Sequence, residues 1–330
     1  MPVMHYDGLV GRLVVLRYRR EVADGRPPLS DVVGELVQVT PQAVTVRTRA
    51  GEHRTIARSA VLIAKPVAAS RREVLELARI GRLGWRAAEQ RELAGWLLYA
   101  DRGWTGRANS VLPLRTPHRP LDELLDGARA FYAERGLPLL IQLPLPARGL
   151  LDAELAGRCW TRDRPAVVLT RTQRTQERDT EQRDTEHWGA ARPAGPPVSL
   201  AEEPDDDWLA AYHYRGGSVP DFARELLVRH DTVSFASIRR DGRTVAIARG
   251  CVDAGWLGLT SVEVAPEYRR QGLATALMDR LAGWAAGHGA RSAYLQVDDG
   301  NSAALALYAR LGFIEHHRYH YRAEPAAGSG

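Results

Sequence analysis

The chain has 330 residues, of which 26% are charged and 45% hydrophobic, and it carries a formal net charge of +5. Its length suggests roughly two to three domains, and its composition excludes a wholly disordered chain, a collagen-like repeat and a disulfide-stapled miniature fold. No apolar run approaches the ~20 residues of a membrane-spanning helix.

Lys65 is the single lysine among 45 basic residues. Such an arginine excess either serves a polyanion, because the guanidinium fork suits phosphates, or reflects GC-rich coding. The small net charge favours the second reading and disfavours nucleic acid as a partner. Residues 1–7 lack the basic-then-apolar layout of a secretory signal. Cys159 and Cys251 form neither a disulfide framework nor a metal motif, so a reducing, cytoplasmic setting is expected.

Residues 9–67 read as strands. Residues 9–18 are β-rich, 32–39 alternate around Gly34, and 43–49 set Val44 and Val46 opposite Thr45, Arg47 and Arg49. Turns at 40–42 and 50–52, with a closing strand at 61–63, predict a small five-stranded β-barrel. Its alternating basic positions are either a polyanion-binding face or the solvated side of an antiparallel sheet.

Residues 70–171 are mixed. Helices are expected over 71–80, 121–135 and 150–158, with Gly136 stopping the second. Strands are expected over 93–101, 107–114, 139–143 and 166–170. Beyond residue 172 the composition turns polar, with residues 176–181 nearly repeated at 182–186, and then rich in Ala, Pro and Gly. So little apolar material cannot offset ordering entropy, and a flexible linker over 173–197 follows.

Residues 198–322 form a second mixed region. Asp207 is a candidate helix cap, and Pro220 and Asp221 open a further helix. Asp241-Gly242 joins strands 232–238 and 245–252 as a hairpin turn. A strand over 257–264 precedes a helix over 273–288 whose Leu273, Leu277, Leu281 and Trp284 recur at helical spacing. Strand, helix and strand follow at 293–297, 302–311 and 314–322. The expected divisions are thus a barrel at 1–68, mixed domains at 69–172 and 198–324, and a disordered tail at 325–330.

The two mixed regions repeat each other. Ser110-Val111 precedes Ser261-Val262, Gly136 precedes Gly289, and Leu140-Ile141-Gln142-Leu143 precedes Tyr294-Leu295-Gln296-Val297, at offsets of about 151 to 154 residues. The overall class is therefore α/β, with tandem mixed-sheet domains after a small all-β barrel. The copies differ where chemistry is expected. In the second, a strand ending at Val264 passes through Arg269, Arg270, Gln271, Gly272, Leu273, Ala274 and Thr275 into the amphipathic helix. Unpaired N–H groups and the helix dipole make such a turn an anion site, with Gly272 and Ala274 leaving the backbone bare. In the first, the helix start carries Asp122 and Glu123, which repel a pyrophosphate.

Further along, Asn301 opens a helix that places Tyr308 two turns on, before Leu311-Gly312-Phe313. With the Arg269-x-x-Gly272-x-Ala274 turn, these residues make 198–322 resemble the GNAT superfamily of acetyl-CoA-dependent N-acetyltransferases. The resemblance implies acetyl-CoA as co-substrate, its pyrophosphate on residues 269–275 and its pantetheine arm along Val262 and Val264 and against Asn301. It implies Tyr308 as the acid that protonates the leaving thiolate, a role suited to a phenol less acidic than a thiol. Glu263 is the candidate base for the amine; alternation sets it opposite Val262 and Val264, on either the cleft or a solvated face.

The first copy has Leu155 in place of Tyr308 and Arg148 near the place of Asn301, and reads as a degenerate, non-catalytic partner. The segments 95–98 and 107–114 extend the resemblance over nearly the whole chain, to actinobacterial acetyltransferases with a small barrel before a GNAT pair. Some members of that group are designated glutamate acetyltransferases. The resemblance implies a small-molecule amine acceptor, such as an amino acid. The alternatives are a protein amine, with the barrel as docking module, or a non-enzymatic acyl-CoA or nucleic-acid binder. Trp104, Arg107 and Asn109 either line a shared cleft or serve core and turn. His316 and His320, on an edge strand with Arg318 between them, make a poor cation site, so no metal is expected.

Overall fold

Alternating apolar residues build the N-terminal all-β unit. The computed structural model describes residues 6, 9–11, 13–20, 29–48, 50–172, 195–214 and 216–325. The predicted linker and tail, at 173–197 and 325–330, lie almost entirely outside these residues, as does Arg49. The chain divides into two compact units, Met1–Ala69 with Ala306–Ile314, and Ser70–Leu305 with Glu315–Gly330.

In the first unit, strands β1 (Leu13–Arg19), β2 (Leu29–Val39), β3 (Ala43–Thr48), β4 (His53–Ala57) and β5 (Val61–Pro66) form an antiparallel sheet in the order β4-β3-β2-β1-β5. Val14, Leu16, Val32, Leu36, Val44 and Val46 bury one face. On the other, register pairs Arg17 with Asp31 and Glu35 with Arg47. Both pairs close as salt bridges, at 2.7 and 2.5 Å. Two of the basic positions are thus neutralised across the strands, as suits a solvated face rather than a polyanion track.

The second unit begins with α1 (Arg71–Leu83), opened by a capping box in which Ser70 and Glu73 satisfy each other's backbone N–H. Strands β6 (Glu89–Leu93), β7 (Trp96–Ala100) and β8 (Ser110–Pro113) follow, then α2 (Leu121–Ala133), β9 (Leu140–Leu145), α3 (Gly149–Gly157) and β10 (Thr161–Thr172). The expected strand at 93–101 is in fact a hairpin, because Ala94 and Gly95 take φ of +48° and +85° and turn β6 back on β7. The second copy runs β11 (Ser199–Ala201), α4 (Asp206–Ala210), β12 (His213–Tyr214), β13 (Gly217–Ser218), α5 (Ala223–Val228), β14 (Val233–Arg240), β15 (Arg243–Asp253) and β16 (Trp256–Val264). It closes with α6 (Leu273–Gly287), β17 (Ser292–Asp298), α7 (Ser302–Arg310), whose residues from Ala306 onward group with the first unit, and β18 (Ile314–Ala323). The cap of α4 is Asp205, which accepts from Trp208 N, and not Asp207 as expected. Asp241 and Gly242 both have positive φ, as a two-residue hairpin of that sequence requires.

All but β12 and β13 of this unit's strands join one sheet, ordered β11-β14-β15-β16-β17-β10-β18-β9-β8-β7-β6. The centre is an exchange. β10, which ends the first copy, pairs with β17 of the second from Ala166↔Asp298 to Thr172↔Ser292. β18, which ends the second, pairs with β9 of the first from Arg318↔Leu145 to Ala323↔Leu140. β18 is therefore an interior strand, correcting the edge position expected for its histidines. Aromatic side chains join the copies as well: Trp85, Tyr99 and Trp104 of the first share a core with Trp208, Tyr212 and Phe235 of the second. Burying an aromatic or large aliphatic side chain contributes about 1.5–3 kcal/mol, so this shared core couples the two halves energetically.

Candidate active site

Strand β16 carries the features expected of the site. Between β15 and β16 the register shifts so that Ile247 pairs with Glu263 while Arg249 pairs with Thr260, leaving an extra residue on β16. Ser261 sits in that bulge at φ +52°, a left-handed conformation that re-aims the strand. The parallel ladder with β17 ends at Leu259↔Leu295, although β16 continues to Val264. The β17-facing edges of Val262 and Val264 thus lie beyond that ladder, which fits an extended ligand arm.

Past Val264 the chain makes a single 3-10 turn, Pro266–Tyr268, and reaches the anion-site candidate. Arg270 and Gly272 both adopt left-handed backbone, φ +62° and +79°, and Gly272 is the N-cap of α6. No side chain caps that helix and its first turn holds no acid. Arg269, Arg270, Gln271 and Gly272 are exposed, while Leu273 is buried and anchors the helix. Ala274 and Thr275 are half-buried in the first turn. Arg269 Nε donates to Val264 O at 3.2 Å and Gln271 Nε2 to Glu267 O at 3.4 Å, which holds the turn in shape. A bare turn rich in N–H groups, flanked by two guanidinium groups at a helix N-terminus, suits a diphosphate. The first copy's α2 differs as expected: Asp122 and Glu123 stand in its first turn, and Asp122 is paired with Arg158.

Glu263 is half-buried, and a partner from β12 holds it. The amide of His213 donates to Glu263 Oε1 at 2.9 Å, and His213 Nδ1 lies 3.3 Å from Oε2 and 3.1 Å from Ala211 O. Burial pushes the Glu263 carboxyl up from its ordinary value, and the His213 hydrogen bonds and Arg269 pull against it. His213 escaped the sequence reading, since its partner is 50 residues away and no local pattern marks the pairing.

Tyr308 lies in the last turn of α7 and is buried, with its ring 6.0 Å from Phe313 in an edge arrangement. Burial pushes its phenol up to about 12, so it stays protonated through the neutral range. Asn301 Oδ1 accepts from Ala304 N at 3.1 Å and so caps α7, which leaves its amide N–H groups for a ligand. In the first copy the corresponding Leu155 is fully buried, and Arg148 donates to Pro113 O at 2.7 Å.

A cavity of about 500 Å³ opens beside β17, lined by Arg107 and Arg164 of the first copy and Tyr214, Gln296, Asp298 and Tyr321 of the second. Of the three residues weighed for a shared cleft, Arg107 alone lines it. Asn109 is a turn residue: its Oδ1 accepts from Asp101 N and Gly103 N while its Nδ2 donates to Trp104 O and Thr105 O. Trp104 is buried against Trp85, Tyr212 and Tyr214. His320 Nε2 is hydrogen-bonded to Asp152 at 2.8 Å, and His316 Nδ1 lies 2.8 Å from His317 Nδ1. Elsewhere His230, Cys251 and Asp253 offer ligand atoms within 4.8 Å of one another. His230 Nε2 is already hydrogen-bonded to Asp253 at 2.6 Å, and burial raises the Cys251 thiol, which favours its protonated form. Among the described residues, no helix is long and apolar enough to cross a membrane.

Residues 71–322 match the family described as "Probable histone acetyltransferase Rv0428c C-terminal", and residues 9–65 match "Rv0428c N-terminal Sm-like domain". Probable histone acetyltransferase Rv0428c of Mycobacterium tuberculosis is 34% identical over 343 residues, covering 99% of each chain. A GCN5-related N-acetyltransferase from Kribbella flavida superposes with a TM-score of 0.54 at 17% identity, covering 80% of this chain and 98% of that one. A tandem GNAT protein from the clavulanic acid biosynthesis pathway gives 0.50 at 15% identity, covering 77% and 89%. At these identities the two structures establish a shared fold.

Proposed function

We propose, from the premise that this chain belongs to the Rv0428c family of GNAT N-acetyltransferases, that its acceptor is the primary amine of a small molecule, such as an amino acid like glutamate. The observation that carries this reading is the cavity of about 500 Å³ beside β17, a volume typical of small-molecule sites. In this reading residues 198–324 are the catalytic domain, and 69–172 is a partner without a cofactor site.

Acetyl-CoA supplies the activated acyl group. Residues 269–275 hold its pyrophosphate through main-chain N–H groups and the Arg269 and Arg270 side chains, and Val262, Val264 and Asn301 hold its pantetheine arm. Glu263, oriented by His213, takes a proton from the incoming ammonium, directly or through a water. Its raised pKa brings it closer to the amine it serves, as an effective base requires. Tyr308 gives its proton to the departing sulfur, and its high pKa keeps that proton in place until thiolate develops. Holding both reactants in one cleft supplies most of the remaining acceleration.

A second reading, a protein amine with the N-terminal unit as docking module, is favoured by the name of the Mycobacterium tuberculosis relative. Coenzyme A release measured with free amino acids and with histone-tail peptides separates the two. Turnover with amino acids is expected; acetylation of the peptides alone would replace the first reading by the second.

A further inference from the structure

Arg107 belongs to the copy that has no cofactor apparatus, yet it lines the cavity whose other wall is the catalytic copy. Its guanidinium lies 4.2 Å over the ring of Trp85. Its carbonyl accepts from the buried Arg82, which also donates to Ser110 Oγ at 2.7 Å. The side chain is therefore half-buried and stacked, and its backbone is pinned by a second arginine. The other charged groups of the cavity have partners: Arg164 pairs with Asp163 at 2.8 Å, and Asp298 Oδ1 accepts from Gly300 N at 3.0 Å. Among the described residues, no carboxylate lies within ion-pair distance of Arg107. A partly desolvated cation without a counter-ion is costly. A planar guanidinium stacked on an aromatic face keeps its fork edge for bidentate carboxylate binding.

We infer that Arg107 is the specificity-determining residue of the acceptor pocket, binding a carboxylate carried by the amine that is acetylated. The degenerate copy thereby contributes recognition, and the acceptor is an anionic amine rather than a polyamine or a neutral amine. This rests on the small-molecule reading above.

The test uses the full chain and matched acid and amide pairs: glycine, glutamate and lysine against their α-amides, with glutamine as a side-chain amide. In the natural chain, kcat/KM for at least one acid is expected to exceed that of its matched amide by ~10-fold or more, the scale of a lost charged contact. In Arg107→Gln, or in Arg107→Met, which keeps a long unbranched side chain without the charge, that preference is expected to collapse toward unity. The affinity for coenzyme A should be unchanged in both. Equal use of acids and amides by the natural chain would overturn the role of Arg107 while leaving amine acetylation standing. So would a preference that survives both variants. Failure to acetylate any amine of the panel would overturn the small-molecule reading itself, and the inference with it.

Discussion

Two side chains carry the proposed proton transfers, and each has an environment that fits its task. Glu263 is raised by burial, and it must be ionised to accept a proton. Activity is therefore expected to fall as pH drops through a value above the ordinary glutamate range. Glu263→Gln should remove that acidic limb and slow turnover roughly 10²–10⁴-fold. His213→Ala removes a hydrogen bond that favours the carboxylate, so it should move the limb to higher pH; a pH–rate profile of the three proteins reads both effects. Tyr308 has the opposite requirement, a proton retained until sulfur leaves, and burial meets it. Tyr308→Phe should lower kcat by roughly 10²–10⁴ with little change in coenzyme A affinity. Undiminished kcat would remove Tyr308 from the acid role.

At the scale of elements, β16 concentrates the design. Gly258 is required on this strand because a Cβ there would stand 2.5 Å from the hydroxyl of the buried Tyr294 and 3.1 Å from Cys251 Sγ. Gly258→Ala is expected to cost about 1–3 kcal/mol through overpacking, read as a lower denaturation midpoint at unchanged m-value. The elements that bury a face were legible in the sequence: α6 from its leucines, β3 from its valines, and the β14–β15 turn from Asp241-Gly242. The turn 269–275 was legible too, because glycine and arginine at a helix start have a specific physical meaning. Five strands escaped: β11, β12 and β13 are only two or three residues long, and β4 and β6 carry little apolar signal. β4 has Ile56 as its single buried residue, and β6, Glu-Gln-Arg-Glu-Leu, is almost wholly exposed. Both end their sheets in the described order, where polar side chains discourage further pairing. Asn109 showed its type but not its role, since four hydrogen bonds to a turn leave no periodic trace.

For the α/β unit as a whole, the strand exchange matters most. The repeat announced two related copies, but which strand pairs with which depends on contacts more than 120 residues apart: Val168 faces Gln296 and His320 faces Leu143. No local pattern encodes that choice. The exchange gives the first copy a structural duty independent of catalysis, since without β10 the edge of β17 would be open. A chain cut between residues 172 and 198 and co-expressed as two pieces should therefore co-purify and retain activity. Either piece alone should aggregate; independently folded, active residues 198–330 would show the exchange to be dispensable.

The asymmetry between the copies is tested most directly by calorimetric titration of the full chain with coenzyme A. One molecule bound per chain is expected. Binding should weaken at least ~10-fold in the double variant Arg269→Glu, Arg270→Glu, whose circular dichroism should match the natural chain, because two cations facing a diphosphate become anions. Two molecules per chain, or undiminished binding in that variant, would contradict a cofactor site confined to the turn that opens α6.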